Sequence, residues 1–252
     1  MLAEERLAAI VAAVEQRGAA TVAQLCEATG ASEATIRRDL NLLDRQGKVS
    51  KVHGGAVAVG GQFDPEEPDL STKSLLHIEE KASIGRYAAS LVYDDDFVFL
   101  DAGTTTLAMA NCLGQSGATF VTTSIACARR LSELGRKVYM VGGRLKLGTE
   151  AIVGAEAIAA LERYNFTKAF LGINGIALRQ GCTTPDAEEA AVKTRAAEQA
   201  YLTYVLADSS KFGKVTAVTV RPLSQVCIIT DTLPDESFRA HAVIKEVGET
   251  HL

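Results

Sequence analysis

The sequence predicts an α/β protein in two parts: an N-terminal winged helix-turn-helix joined to an α/β domain with a mostly parallel sheet. Three observations carry this. A polar-faced amphipathic helix at 32–43 follows a short helix and a glycine turn. A glycine-punctuated pair of β-prone runs comes directly after it. From about residue 97 onward, short apolar runs alternate with helical patterns, which is the signature of strand–helix units building a parallel sheet covered on both faces.

Within 32–43, Ser32 suits an N-cap, because its hydroxyl can accept a first-turn N–H. Ile36, Leu40 and Leu43 fall at i, i+4 and i+7 and form one apolar stripe. Glu33, Thr35, Arg37, Arg38 and Asn41 lie off the stripe. They offer hydroxyl, guanidinium and amide groups of the kind that pair with phosphates and base edges in a DNA major groove. A solvated amphipathic helix would carry the same pattern, so its neighbours decide. Leu7, Ile10, Val11 and Val14 repeat at helical spacing up to Gly18, and Thr21 with Gln24 forms a capping box that opens a short helix through Val22, Leu25 and Cys26. Gly30-Ala31 turns the chain into the Ser32 helix, completing a helix-turn-helix. Residues 48–57 then predict a hairpin around Gly54-Gly55, a wing that offers Lys48, Lys51 and His53 to the phosphate backbone.

Composition bounds the alternatives. The chain of 252 residues is 47% hydrophobic and 23% charged, ordinary values for a globular protein with a core. No apolar run approaches the roughly 20 residues that span a bilayer. The acidic start does not resemble a signal peptide. A cytoplasmic protein without membrane contact is expected. Five scattered cysteines without a C-x-x-C pair imply reduced thiols and no metal site; no cofactor is expected. The net charge of −5 does not announce a nucleic-acid binder, but its distribution does. In residues 1–57 seven cations and seven anions cancel, and five of those cations lie between Arg37 and Lys51. A local basic strip is attached to an acidic body.

Residues 58–78, rich in Gly, Pro and acid, predict a linker between a DNA-binding domain at 1–57 and an α/β domain at 79–252. In the second domain, helices are expected near 79–93, 105–113, 125–134, 155–163 and 187–200. Strands are expected at 97–100, 119–122, 138–141, 169–173, 204–207 and 226–229. Such sheets bind ligands at the carboxyl ends of their strands. There the sequence places Asp101, Gly103, Thr104, Thr105 and Thr106, then Thr123 and Ser124, Gly142 and Gly143, Gly172, and finally Asp208 and Lys211. Hydroxyls and N–H groups at a helix start suit a phosphate, a carboxylate suits sugar hydroxyls, and Lys211 meets a phosphate as a point charge. Taken singly, each of these runs is also compatible with a helix cap, a plain turn or a solvated loop. Glu188, Glu189 and Lys193 are further candidates, against the alternative of a charged, solvated helix face.

Thr-Ile-Arg-Arg-Asp-Leu at 35–40 followed by Gly-Lys-Val-Ser-Lys-Val-His-Gly-Gly-Ala at 47–56 closely resembles the N-terminal domain of the DeoR-type family of bacterial sugar-metabolism repressors. Asp-Ala-Gly-Thr-Thr at 101–105, Thr-Thr-Ser at 122–124, Gly-Gly at 142–143, Gly-Ile-Asn-Gly-Ile at 172–176 and Asp-Ser-Ser-Lys-Phe-Gly at 208–213 match its effector domain in order and spacing. The resemblance covers about residues 4–231. It implies a sensor domain similar in fold to ribose-5-phosphate isomerases and CoA transferases, binding a phosphorylated sugar or close metabolite. Two positions depart from the pattern: Lys51, where many relatives carry Arg, and Thr123, where they often carry Asn. Lys51 keeps the charge and loses the bidentate geometry.

The expected function is therefore a repressor that holds double-stranded operator DNA as a homodimer or homotetramer and is released by a phosphorylated sugar. Two other readings compete: a sugar-phosphate isomerase with an accessory DNA-binding head, and a ligand-dependent activator. Isomerisation needs a carboxylate base beside the substrate carbonyl. The isomerase-like enzymes carry an acidic run after the strand equivalent to 169–173, whereas residues 172–178 here contain no acid. No enzymatic activity is expected.

Overall fold

The computed structural model describes residues 2–58 and 69–248. The chain divides into two compact units, Met1–Gln62 and Phe63–Leu252.

The N-terminal unit contains α1 (Ala3–Arg17), β1 (Ala19–Thr21), α2 (Val22–Thr29), α3 (Glu33–Arg45), β2 (Val49–Val52) and β3 (Gly55–Ala58). Gly18 and Gly30 end α1 and α2 in the left-handed conformation that glycine adopts without penalty. Thr21 accepts the Gln24 N–H at 3.2 Å, and Gln24 returns to the Thr21 N–H at 2.9 Å, so the capping box forms. Ile10 and Val14 of α1, Leu25 of α2, Val49 of β2 and the α3 stripe of Ile36, Leu40 and Leu43 make one core, each at most 1% exposed. The wing is larger than the expected hairpin. β1 joins as a third strand in the order β1-β3-β2, antiparallel throughout. Three residues are too few for alternation to reveal them. Gly55 makes this possible, since a Cβ there would lie 2.2 Å from the Ala20 carbonyl oxygen.

The C-terminal unit opens with α4 (Leu70–Leu75), α5 (Ile78–Ser90), β4 (Phe97–Leu100), α6 (Thr104–Cys112), β5 (Thr119–Thr122), α7 (Ile125–Glu133) and β6 (Lys137–Met140). It continues with β7 (Arg144–Lys146), β8 (Ala151–Val153), α8 (Ala155–Leu161), β9 (Phe166–Gly172), β10 (Gly175–Ala177), β11 (Gly181–Thr184) and α9 (Ala187–Glu198). β12 (Ala200–Leu206), β13 (Val218–Arg221), β14 (Cys227–Thr230) and β15 (Val243–Glu246) complete it. Seven strands form one sheet in the order β15-β14-β12-β9-β4-β5-β6, every pair parallel. β10, β11 and β13 form a small antiparallel sheet, and β7 pairs with β8.

Both faces of the large sheet are covered, and side chains alternate between two cores. Phe99, Ala169, Leu171, Val205 and Ile228 face α8 and α9, while Val98, Leu100, Phe170, Leu206 and Ile229 face α5, α6 and α7. Burial on both sides explains the continuous apolar runs in the sequence. All five cysteines are unpaired, and burial pushes the Cys127 and Cys182 thiols up to about 12. Among the described residues no helix is long and apolar enough to cross a membrane.

The segment predicted as a linker, 58–78, is corrected in part. Ala58 ends β3, residues 59–68 lie outside the described residues, and Leu70–Leu75 is a helix capped by Asp69, whose side chain accepts the Thr72 N–H at 2.7 Å. α5 begins at Ile78. The Gly and Pro content of the preceding stretch masked a helix of under two turns.

α5 and α6 cross at Gly85, where a Cβ would sit 2.6 Å from the Met109 nitrogen and 2.7 Å from the Ala108 carbonyl carbon. The obstruction is backbone and cannot rotate away. Gly85→Ala is expected to lower the unfolding free energy by roughly 1–3 kcal/mol, the usual cost of overpacking, measured by urea denaturation followed by circular dichroism. An unchanged midpoint would show that the helices separate freely.

Candidate functional site

Two surfaces carry the chemistry. In the N-terminal unit, α3 presents the predicted polar face. Ser32 caps it, accepting the Thr35 N–H at 3.4 Å, with the two hydroxyls 3.0 Å apart. Glu33, Arg37, Arg38 and Asn41 are exposed, and Thr35 is half-buried. Arg37 pairs with Glu33 at 3.3 Å, so this carboxylate orients a guanidinium and itself repels phosphate. Lys48, Lys51 and His53 are exposed on or beside β2. The face is aimed by a feature that period alone could not reveal. Asp39 is buried, and its carboxylate accepts Arg6 Nε of α1 at 2.7 Å. The charged residue inside the motif thus locks α3 to α1 and does not belong to the outward face.

In the C-terminal unit, a cleft opens at the carboxyl ends of the strands. Leu70 and Lys73 of α4, Lys81 of α5, the 102–105 turn into α6, and the end of β9 at Gly172 contribute to its lining. Thr149, Asn174, Glu189, Lys193 and Lys211 complete the polar lining. Asp101 lies behind it, 2% exposed, and forms an ion pair with the equally buried Lys193. The Gly172 N–H donates to the same carboxylate at 3.0 Å. Burial pushes the Asp101 carboxyl up from its ordinary value, and the Lys193 ammonium opposes that push. Glu189 accepts Lys146 at 2.9 Å and Thr149 at 2.6 Å, and lies 4.0 Å from Lys193. Lys81 is buried, and its ammonium donates to the backbone carbonyls of Lys73 and Leu76. Burial lowers its pKa, Asp208 works against that, and Lys211 and Lys73 add to it. The first-turn N–H groups of α6, which a helix leaves unpaired, begin at this cleft. Four lysines and a helix N-terminus therefore converge on one space beside a carboxylate.

The sequence pattern described as the DeoR-like helix-turn-helix domain matches residues 6–61, and that of the DeoR C terminal sensor domain matches residues 76–232. The chain belongs to the DeoR family of transcriptional regulators. It is 37% identical over 253 residues to the "Uncharacterized HTH-type transcriptional regulator FruR" of Bacillus subtilis (strain 168), covering 98% of this chain and 99% of that protein. It is 36% identical over 242 residues to the "HTH-type transcriptional repressor GlcR" of the same organism, covering 94% and 92%. The "Lactose phosphotransferase system repressor" of Streptococcus mutans (serotype c, strain ATCC 700610 / UA159) is 31% identical over 251 residues, 98% of this chain and 99% of that protein. A ribose 5-phosphate isomerase from Methanocaldococcus jannaschii superimposes on 52% of this chain and 53% of its own, with 16% identity and a TM-score of 0.40, too loose a likeness to bear on chemistry.

In this DeoR-family chain the predicted residues divide. Gly103, Thr104, Thr105, Gly172 and Lys211 line the cleft, and Asp101 stands directly behind it. Asp208 is fully buried; one of its oxygens caps the short helix at Ser209–Lys211, and the other lies 3.9 Å from Lys211. Five residues fall outside the cleft lining. Thr106 donates inward to the Asp101 and Gly103 carbonyls, at 2.8 and 2.9 Å. Thr123 is buried, with its carbonyl accepting the Ile152 N–H, and Ser124 caps α7. Gly142 and Gly143 form an exposed turn off the lining, and a Cβ on Gly143 would meet the Val153 carbonyl at 2.8 Å. Hydroxyls before a helix look alike whether they cap it or face a ligand. Lys81 and Lys73 sit on elements away from any strand end, where the sequence does not single them out, and Glu189 and Lys193 resemble a solvated helix face in the sequence. For these two, the only available signal was a lysine four residues after a glutamate on a helix whose neighbours are alanine and valine.

The Asp101–Lys193 pair makes a specific stability prediction. Lys193→Met leaves a buried carboxylate without its ammonium, which costs about 3–5 kcal/mol. Without that cation the native carboxyl binds its proton at still higher pH than the unfolded one, so the native state gains protons relative to the unfolded chain as pH falls. The deficit against the unsubstituted protein should therefore shrink toward acid, read from urea midpoints across a pH series. A deficit that stays constant with pH would show that Asp101 is not the group left stranded.

Proposed function

We propose that this DeoR-family regulator is a cytoplasmic repressor of a carbohydrate-metabolism operon, and that a phosphorylated sugar at the strand-end cleft releases it from its operator. The observation that carries this reading is the convergence of Lys73, Lys81, Lys193 and Lys211 with the α6 N-terminus on one cleft. Cations and unpaired N–H groups suit a phosphate, and Glu189 beside them suits hydroxyl groups. The names of the lactose phosphotransferase repressor and of GlcR agree with a carbohydrate link. A dimer or tetramer is the assembly such a regulator needs, because one helix-turn-helix offers little interface for tight, specific binding.

The carboxylates near the cleft favour binding over turnover. Asp101 is held by Lys193 and the Gly172 amide, and Asp208 by its capping role. Asp101 is not poised as a free base, whereas the second Asp208 oxygen is buried without a hydrogen-bond partner among the described residues, 3.9 Å from Lys211. Lys81 gives the ligand a route to the rest of the chain. Its ammonium lines the cleft and also holds two carbonyls at the end of α4, the first described element after the N-terminal unit in sequence. A phosphate that draws on Lys81 changes the stability of the contact between α4 and α5. It can shift the protein between two arrangements only through different affinity for each.

Gel-shift binding to the DNA upstream of its own gene and neighbouring operons, at fixed salt and with a panel of sugar phosphates, tests this reading. Release by one compound is expected; strengthened binding would make the protein an activator, and turnover of a panel member would make it an enzyme. Arg37→Ala and Arg38→Ala should each weaken operator binding severalfold while ligand binding stays intact. Unchanged operator affinity in both would remove α3 from the interface. Lys211→Ala should abolish the ligand response and preserve DNA binding, and a normal response would move the phosphate elsewhere.

A further inference from the structure

We propose that Lys51 sets the base preference of Asn41 by holding its side-chain oxygen, so that α3 presents an NH2 donor to the DNA and selects guanine or thymine over adenine. The inference rests on the reading that α3 enters the major groove, and it concerns what that helix then reads.

Lys51 Nζ lies 2.7 Å from Asn41 Oδ1. An ammonium has donors and no acceptor, so its partner on a side-chain amide can only be the oxygen. The amide orientation, otherwise interchangeable, is fixed by that chemistry. The backbone from which Lys51 reaches is fixed as well. The Lys51 N–H donates to Asp44 Oδ1 at 2.8 Å, and the Lys48 N–H donates to the Leu43 carbonyl at 2.9 Å. Asn41 and Asp44 stand three apart on α3, so one helix face holds both the main chain and the side chain of Lys51. Val49, 1% exposed, roots the same strand in the core. The wing and the recognition face are therefore joined at the residue that meets the bases.

The consequence follows from the groove's pattern of donors and acceptors. A free Asn reads adenine through two bonds: its oxygen accepts from N6 and its nitrogen donates to N7. With Oδ1 occupied, the adenine amino group meets no acceptor and faces a neighbouring cation. Guanine offers O6 and N7, and thymine offers O4, all acceptors that the Nδ2 hydrogens can use.

Selection from a randomised duplex library by the full-length protein tests this. The position read by Asn41 is the one whose preference Asn41→Ala erases. There the unsubstituted protein should enrich guanine or thymine, and Lys51→Met should shift the preference toward adenine by roughly tenfold, one bidentate pair's discrimination. Lys48→Met removes a cation from the same hairpin without touching Asn41. It should weaken binding to all sequences and leave that preference unchanged. Adenine enriched by the unsubstituted protein, an identical preference in Lys51→Met, or a shift equally produced by Lys48→Met would each overturn the proposal. No position lost in Asn41→Ala would overturn it too. If the unsubstituted protein enriches no sequence at all, the groove reading itself fails.

Discussion

The C-terminal unit is arranged around the Asp101–Lys193 ion pair. Both groups are almost completely removed from water, where an isolated charge is too costly to keep. They persist because each meets the other and because the Gly172 amide takes up the remaining demand of the same carboxylate oxygen. The pair joins the end of β4 to α9, and its amide donor comes from the end of β9. Three elements distant in sequence are thereby fixed around the cleft. β4 and β9 are also neighbours in the centre of the sheet, where backbone position is most constrained. The Lys193 ammonium at the cleft is thereby held in place by the fold.

The N-terminal unit uses the same device for a different end. Asp39 in the middle of α3 accepts Arg6 of α1, so the recognition helix is held from behind by charge as well as by the apolar stripe. Its front is held by Lys51 from the wing. Side chains on the exposed face then act from a defined platform. In a helix this short, most stability comes from packing, so these cross-ties matter more than propensity.

Much of this was legible in the sequence, and the remainder fails for identifiable reasons. The α3 stripe was readable because Ile36, Leu40 and Leu43 recur at helical spacing and are all buried. The central strands were readable because burial on both faces makes them continuous apolar runs. β1, β7, β8, β10 and β13 are three or four residues long, and their identity comes from the partners they meet. Charged residues were the hardest. Asp39, Lys81, Glu189 and Lys193 carry the charge of surface residues, yet each is at most 7% exposed, because its partner lies 33 residues away or on another element. Period and composition report which side of an element is apolar. They do not report that a partner on another element, an opposite charge or for Lys81 a pair of backbone carbonyls, stabilises the buried charge.

The acidic net charge of the chain is consistent with its binding DNA, because the relevant field is local. A uniformly basic protein would bind any duplex through phosphate contacts, and that sequence-independent affinity would compete with the operator. Here five cations lie between Arg37 and Lys51 on a unit whose charges cancel, and the remaining −5 belongs to the other. The cations are thus concentrated on the surface that carries the predicted DNA-facing groups. Within that surface the cations differ in what they hold: Arg37 is paired with Glu33 and Lys51 with Asn41, while Lys48 and Arg38 extend as exposed charges. The first kind has its geometry set by a partner within the unit.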